Sequence, residues 1–354
     1  NKSRYHWITG AFVFRQTINR KVDLSRFTDT TRHLTNSGIP TQGIAFYHQS
    51  TLDLLQGLSC SVGLRYDYEH ARCDFSKVQQ PLNGNGETKS LEQFNRSLHF
   101  GQFTPRFSMQ YLSSHNQLFY ASVSKGYKAG GFNVSFLNND DYLYSPEYNW
   151  NYEIGTKLSF LNNRLSADLS LFYIDWRNQQ ITNTIPTVGN VIRNAGRSRN
   201  KGIEASFQAR PTKSWMMYMN YGYTDARFVH YQKEERGILK DYEGNYLPMV
   251  PRHTFSLTTG YSFYDICSWI DRLTLNAGVS VTGPIYWYED NQAKQSPYAL
   301  VNLRISINKG CFTWEAWSKN LTNTDYLSYY FVTSKAYAQK GKPITLGTSV
   351  SISL

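Results

Sequence analysis

From Ser61 to Glu69 the chain alternates strictly: Val62, Leu64, Tyr66 and Tyr68 fall on one side, and Ser61, Gly63, Arg65, Asp67 and Glu69 on the other. A period of two marks a β-strand with one apolar and one polar face. The pattern recurs along the chain. Phe255, Leu257, Tyr261 and Phe263 oppose Thr254, Ser256, Thr258, Gly260 and Ser262, and Leu273, Leu275, Ala277, Val279 and Val281 oppose Thr274, Asn276, Gly278 and Ser280. Ala299, Val301, Leu303, Ile305 and Ile307 form a third such face, and Trp215, Met217, Met219, Tyr221 and Tyr223 a fourth. Several runs extend over about 10 to 16 residues, longer than the strands of globular sheets and suited to tilted crossing of a bilayer.

The connections alternate as well. Tight links are expected at Leu55 to Leu58, Ser113 to Asn116, Leu161 to Arg164, Pro211 to Ser214 and Asn308 to Gly310, with a slightly longer one at Tyr264 to Asp271. Between them lie long polar stretches, from Thr17 to Thr41, Asp74 to Phe94, Gly130 to Asn149, Asn183 to Asn200, His230 to Val250, Glu289 to Ser296 and Thr322 to Pro343. Short turns on one side and long loops on the other are the asymmetry of a bacterial outer-membrane barrel. The expected fold is all-β, an antiparallel transmembrane β-barrel domain over residues 1–354 with about fourteen strands.

Composition supports this reading. The chain is 16% aromatic, with 27 Tyr, 20 Phe and 8 Trp, yet its mean hydropathy is −0.51. A barrel turns only alternate residues to lipid and wears aromatic girdles at both interfaces, so it is rich in rings without being hydrophobic overall. No stretch approaches the roughly 20 apolar residues of a membrane-spanning helix, which leaves the closed sheet as the spanning solution.

The net charge of +11 is scattered through loops and polar strand positions. It fits anionic ligands or lipid headgroups, or a merely solvated surface, better than nucleic acid. Cys60, Cys73, Cys267 and Cys311 have neither metal-ligand nor CxxC spacing, so they are read as isolated thiols or one incidental disulfide. Gly84 to Gly86 and Gly130 to Gly131 match no phosphate cradle and are read as turns. No GxSxG elbow or HExxH helix is present, so no enzyme, cofactor or metal is expected.

Several phrases, in order, resemble the TonB-dependent outer-membrane receptors of the ferric-siderophore kind. They are SKGYKAGGFN (Ser124 to Asn133), PEYNWNYEIGTK (Pro146 to Lys157) with the following run to Ile181, RNAGRSRNKGIEASFQARP (Arg193 to Pro211), VPRHTFSLTTGYSF (Val250 to Phe263) and WSKNLTNTDY (Trp317 to Tyr326). The resemblance implies the C-terminal part of a barrel of about 22 strands. The N-terminal plug and the first strands, roughly eight, would then lie outside this chain. The alternating tail from Ile344 resembles the family's terminal assembly strand, with Leu354 where an aromatic usually closes it.

The function implied is import of a ferric siderophore or similar large nutrient. The partners would be outer-membrane lipid and, through the absent plug, the TonB–ExbB–ExbD complex. A complete, passive fourteen-strand channel is the alternative. Aromatic and cationic loop residues are the natural ligand contacts, because rings stack on catechol or macrocyclic groups and cations pair with their charge. The candidates are Arg32, His33, Tyr127, Lys128, Phe132, Tyr142, Tyr144, Arg193, Arg197, Tyr286, Trp287, Tyr326 and Tyr330. His33 is read as a loop histidine, and Asn138 to Asp141 as a hydrated loop tip.

Overall fold

A computed structural model describes residues 4–25, 30–83, 86–136, 138–185, 188–194, 196–235, 238–332 and 335–353. Gly84 and Leu354 lie outside the described residues. Fourteen strands form one antiparallel sheet: β1 (Tyr5–Leu24), β2 (Thr31–Leu55), β3 (Leu58–Pro81), β4 (Lys89–Leu112), β5 (Leu118–Lys128), β6 (Glu147–Phe160), β7 (Leu165–Arg177), β8 (Arg197–Ala209), β9 (Trp215–His230), β10 (His253–Cys267), β11 (Ile270–Thr282), β12 (Tyr298–Lys309), β13 (Phe312–Lys319) and β14 (Thr345–Ile352). Each strand pairs with its sequence neighbours, in the order β1 to β14. Among the described residues β1 pairs only with β2 and β14 only with β13, so the sheet keeps two open edges.

Register carries the alternation from strand to strand. Ile154, Leu171, Ile203 and Tyr223 lie in one row across β6 to β9, and this row belongs to the outward, lipid-facing side. The other parity turns inward. There Arg65 donates to Asp67 at 2.8 Å, and the Tyr120 hydroxyl donates to Glu153 at 2.7 Å. A Cβ on Gly155 would come within 2.6 Å of the Tyr120 ring, so the aromatic side chain covers the glycine of the adjoining strand and occupies the space it leaves.

The tight turns fall where the pattern places them. Gly57, at φ +79°, closes the β2–β3 turn, and a Cβ there would collide with the Leu112 carbonyl. Two of the expected long loops, however, are largely strand. β1 continues to Leu24 and meets β2 at His33, and β3 continues to Pro81 opposite Thr31. The apolar alternation stops near the membrane boundary because the outer face becomes polar, with Asn19, Asn36 and Asp74, while the backbone ladder goes on pairing. His33 is therefore a strand residue. Among the described residues five other loops contain two-stranded ribbons of their own, at Gly131–Phe132 with Leu143–Tyr144, Gln180–Ile185 with Gly189–Asn194, Gln232–Glu235 with Ile238–Asp241, Ile285–Tyr286 with Lys294–Gln295, and Leu327–Val332 with Ala336–Lys340.

All four cysteines are free. No helix among the described residues is long and apolar enough to span a membrane.

The parity assignment is tested by adjacent substitutions on β7. Leu169→Arg places a cation in the lipid band and should destabilise the folded barrel by about 2–4 kcal/mol, whereas Ser170→Arg, facing inward, should cost less than about 1 kcal/mol. Denaturant titration in detergent or lipid, read by heat-modifiable gel mobility, distinguishes them, and equal losses would contradict the register.

Candidate functional site

Above the membrane the loops turn inward and build the only substantial apolar clusters among the described residues. Buried Ala71, Cys73 and Phe75 of β3 receive Phe132, with Phe94, Leu98, Val134 and Phe136 against them. Phe75 stacks on Phe94 with centroids 4.8 Å apart, Phe94 on Tyr142 at 4.9 Å, and Phe136 meets Tyr142 edge-on at 4.3 Å. The Arg96 guanidinium lies 5.2 Å from the Tyr142 ring centroid. These rings hold the 130–144 loop on the inner wall of β3 and β4.

Polar groups hold the other side of that loop. Buried Asn133 donates to the carbonyls of Asp141 and Ile192 at 2.7 and 2.8 Å and accepts from the Ile192 amide at 2.8 Å. Arg193 grips buried Asp141 through two bonds of 2.7 and 2.9 Å. That hydrogen-bonded carboxylate raises the guanidinium's pKa above its ordinary value. Asp141 is thus a tied anchor at the end of a short 3₁₀ turn, Asn139–Tyr142, and not part of a hydrated tip. The Tyr144 ring covers Gly131, and burial raises the phenol above its usual range.

Between this loop and the inner faces of β1, β2 and β3 is a cavity of about 440 Å³. Its apolar lining includes Leu24, Phe75, Val134, Phe136 and Val188, and its polar lining includes Thr31, His33, Thr35, Lys77 and Gln79. Glu92 of β4 stands opposite Lys77 in register. The volume falls in the range of small-molecule sites, and apolar walls with a few convergent polar groups are their usual make-up. Such a pocket can take a compact ligand bearing an aromatic or aliphatic body and negative charge.

Of the residues singled out in the sequence, Phe132, Tyr142, Tyr144 and Arg193 come together in the loop assembly, with His33 in the adjoining cavity. Arg32 does not join them. Neighbouring strand residues point to opposite faces, and Arg32 lies outside, bonded to Asp23 and Gln80 at 3.3 Å each. Arg197 binds Asp175 at 2.6 Å on the outer wall. Tyr127 contacts Tyr148, and the Lys128 ammonium lies 3.8 Å from Glu147.

Tyr286 stacks on Tyr246, which stands opposite Arg227 on the outer face and receives Arg227 and Arg252 over its ring, so Tyr286 does not join the cavity. Trp287 is buried near Tyr329 and Tyr330, and Tyr326 stacks on Tyr298 at 4.4 Å. Lys77, Gln79, Phe75 and Phe94 escaped the sequence reading because their segment carries polar outer-face residues and was read as loop. The inner alternation Cys73, Phe75, Lys77, Gln79 was the available signal.

A sequential transmembrane meander whose long loops fold back over its mouth, enclosing a pocket there, defines an outer-membrane receptor barrel. The model of the TonB dependent receptor-like β-barrel family matches residues 4–323, and the chain belongs to that family. The family is one of receptors and transporters, not enzymes, and its barrels lie in the outer membrane of Gram-negative bacteria. The pesticin receptor of Yersinia pestis is 24% identical over 96% of this chain and 48% of its own length. The probable TonB-dependent siderophore receptor PiuA of Acinetobacter baumannii is 26% identical over 63% of this chain and 30% of its own.

Among solved structures, the ferric yersiniabactin uptake receptor FyuA from Yersinia pestis superposes with a TM-score of 0.83 at 19% identity, over 99% of this chain and 52% of that one. The ferric-catecholate import receptor Fiu from Escherichia coli K12, in its closed form, gives 0.69 at 15%, over 97% and 55%. At these identities the likeness shows the fold. The chain spans about half the length of the curated relatives that align with it over most of its length.

Asp141→Ala should cost about 2 kcal/mol locally, since it removes two charge-assisted bonds and leaves the Arg193 cation without that partner. Hydrogen exchange should accelerate across 131–144 and 189–194 while β6 to β9 stay protected. Unchanged exchange in both segments would show that Asp141 does not anchor the loop.

Proposed function

We propose that this chain is the receptor barrel of an outer-membrane importer of iron complexes, and that the cavity between the 130–144 loop and β1–β3 receives the ligand. The observation that carries the reading is the placement of Lys77 and His33 beside Phe75 and Phe136 in a pocket at the extracellular mouth. A ferric siderophore is large, partly aromatic and anionic, and the pocket offers rings, a cation and hydrogen-bonding groups to one part of it. Membership of the family and the names of several relatives support iron uptake as the activity. Uptake through such a receptor draws energy from the inner-membrane TonB complex, the partner expected through the plug. The passive-channel alternative is disfavoured by the sheet, whose terminal strands are unpaired with one another among the described residues.

The proposal is tested by uptake of radioactive iron, presented as ferric yersiniabactin or as ferric citrate, in cells producing this barrel joined to the plug and first strands that the family resemblance implies. Saturable uptake that stops when the proton-motive force is collapsed is the expected outcome. Uptake that continues unchanged after collapse would contradict an energised receptor. Lys77→Ala should weaken binding of the transported complex about tenfold or more, the size of a lost charge-assisted contact, without lowering the amount of protein in the membrane. Equal affinity would place the ligand elsewhere in the mouth.

A further inference from the structure

We propose that the outer wall of β7, β8 and β9 carries a binding site for the phosphorylated headgroup of an outer-leaflet lipid, centred on Arg199 and Lys201. This rests on the membrane placement of the barrel and not on the identity of its cargo.

Register defines the site. The outward row Ile154, Leu171, Ile203, Tyr223 is apolar. The next row up is Tyr152, Tyr173, Lys201, Asp225, then Trp150, Asp175, Arg199, Arg227, and above it Tyr148, Arg177, Arg197. Lys125 of β5 stands beside Trp150 in the second of these rows and lies 5.1 Å from the Tyr148 ring centroid. The height is that of a headgroup. From Ala209, at the periplasmic end of β8, ten residues of strand reach Arg199, a rise of about 33 Å along the chain and about 23 Å across a bilayer at 45° tilt, close to the apolar band of such barrels.

Six cations therefore meet two anions on this face. Asp175 is shared by Arg197 at 2.6 Å and Arg177 at 3.5 Å. Asp225 is shared by Arg227 at 2.8 Å and Lys201 at 3.9 Å. Arg199, exposed and opposite Asp175 on one side and Arg227 on the other, adds a further charge. Arg227 is partly covered by Tyr246 and Lys125 lies over the Tyr148 ring, which leaves Arg177, Arg197, Arg199 and Lys201 as the four cations not engaged by an aromatic ring.

The excess is local. On β1 to β4 the three outward rows above the apolar band, starting from Arg15, Gln42, His70, His99, hold only Arg15 and Arg72 as permanent cations, and Arg72 is paired with Asp74 at 2.9 Å. A cation cluster directly above an apolar wall, flanked by tyrosines, complements a lipid whose acyl chains lie on that wall and whose phosphates sit above it.

The test uses the protein extracted from outer membranes in detergent and freed of lipid, titrated by native mass spectrometry. The probes are diphosphorylated lipid A, its dephosphorylated form and inorganic phosphate. The wild-type protein should retain the phosphorylated lipid in preference to both others. Arg199→Gln with Lys201→Gln should weaken retention about thirtyfold, at roughly fivefold for each cation near the surface. Lys213→Gln, which removes a charge from the opposite rim, should leave it unchanged, and Arg199→Lys with Lys201→Arg should restore it.

Equal binding by the R199Q/K201Q protein, equal binding of the dephosphorylated lipid, or equally tight inorganic phosphate would each overturn the proposal. Should R199Q/K201Q fail to assemble, judged by heat-modifiable mobility, R199Q alone and a salt titration of the wild-type protein decide it. Retention of the phosphorylated lipid that is indifferent to both contradicts the site.

Discussion

Everything in this molecule follows from the need of each backbone amide and carbonyl in lipid to find a partner within the protein. A meander of neighbouring strands meets that need with the shortest connections, and the observed order is strictly sequential. The consequence is a wall one residue thick. A single wall leaves its outer side chains to the lipid, so exposed Leu169, Ile154 and Trp215 are what the fold requires. Apolar cores in the ordinary sense arise only where loops lie on the inner wall, at Phe75 with Phe132 and at Phe228 with Tyr231 and Tyr242.

That division explains what was legible in the sequence. Within the bilayer, lipid imposes period two on one face, and the turns, the facing of Val62 to Glu69 and the fourteen strands could be read from it. Above the bilayer both faces of a strand are free to be polar, so strand and loop look alike in composition. β1 to β4 therefore run on through segments that read as loop, and the ribbon Gln180–Ile185 with Gly189–Asn194 carries only scattered apolar residues, Ile181, Ile185, Val191 and Ile192, without sustained alternation. The pocket suffered most. His33 was legible as a type of residue, but its companions Lys77 and Gln79 come from a strand that composition did not show, and their meeting depends on a register between segments more than forty residues apart.

Loop packing, in turn, decides which candidates can touch a ligand. Phe132 and Tyr142 are buried, and their contribution is to hold the 130–144 loop where Val134 and Phe136 line the cavity. Arg193 acts in the same way through Asp141. Aromatic abundance in the mouth is therefore two populations, rings that build the loops and fewer rings that face the cavity. Composition cannot separate them, because both need large apolar side chains in otherwise polar segments.

Parity also separates the uses of the basic residues. On a strand, a shift of one position moves a side chain from the ligand mouth to the membrane side, as Arg32 and His33 show. Arg197, Arg199 and Lys201 recur at intervals of two, so all three share one face, while Ser198 and Asn200 between them take the other. A cation series of this period on a barrel strand cannot be divided between cargo and lipid. The upper, inward residues of Asp175 and Asp225's neighbours are Trp176, Ala226 and Thr224, and the charge of that segment is committed to the outside. The chain's positive balance is thus not one property with one purpose. Lys77 serves the mouth, Arg193 serves loop architecture, and the β8 series serves the outer wall, each assigned by which way its strand turns it.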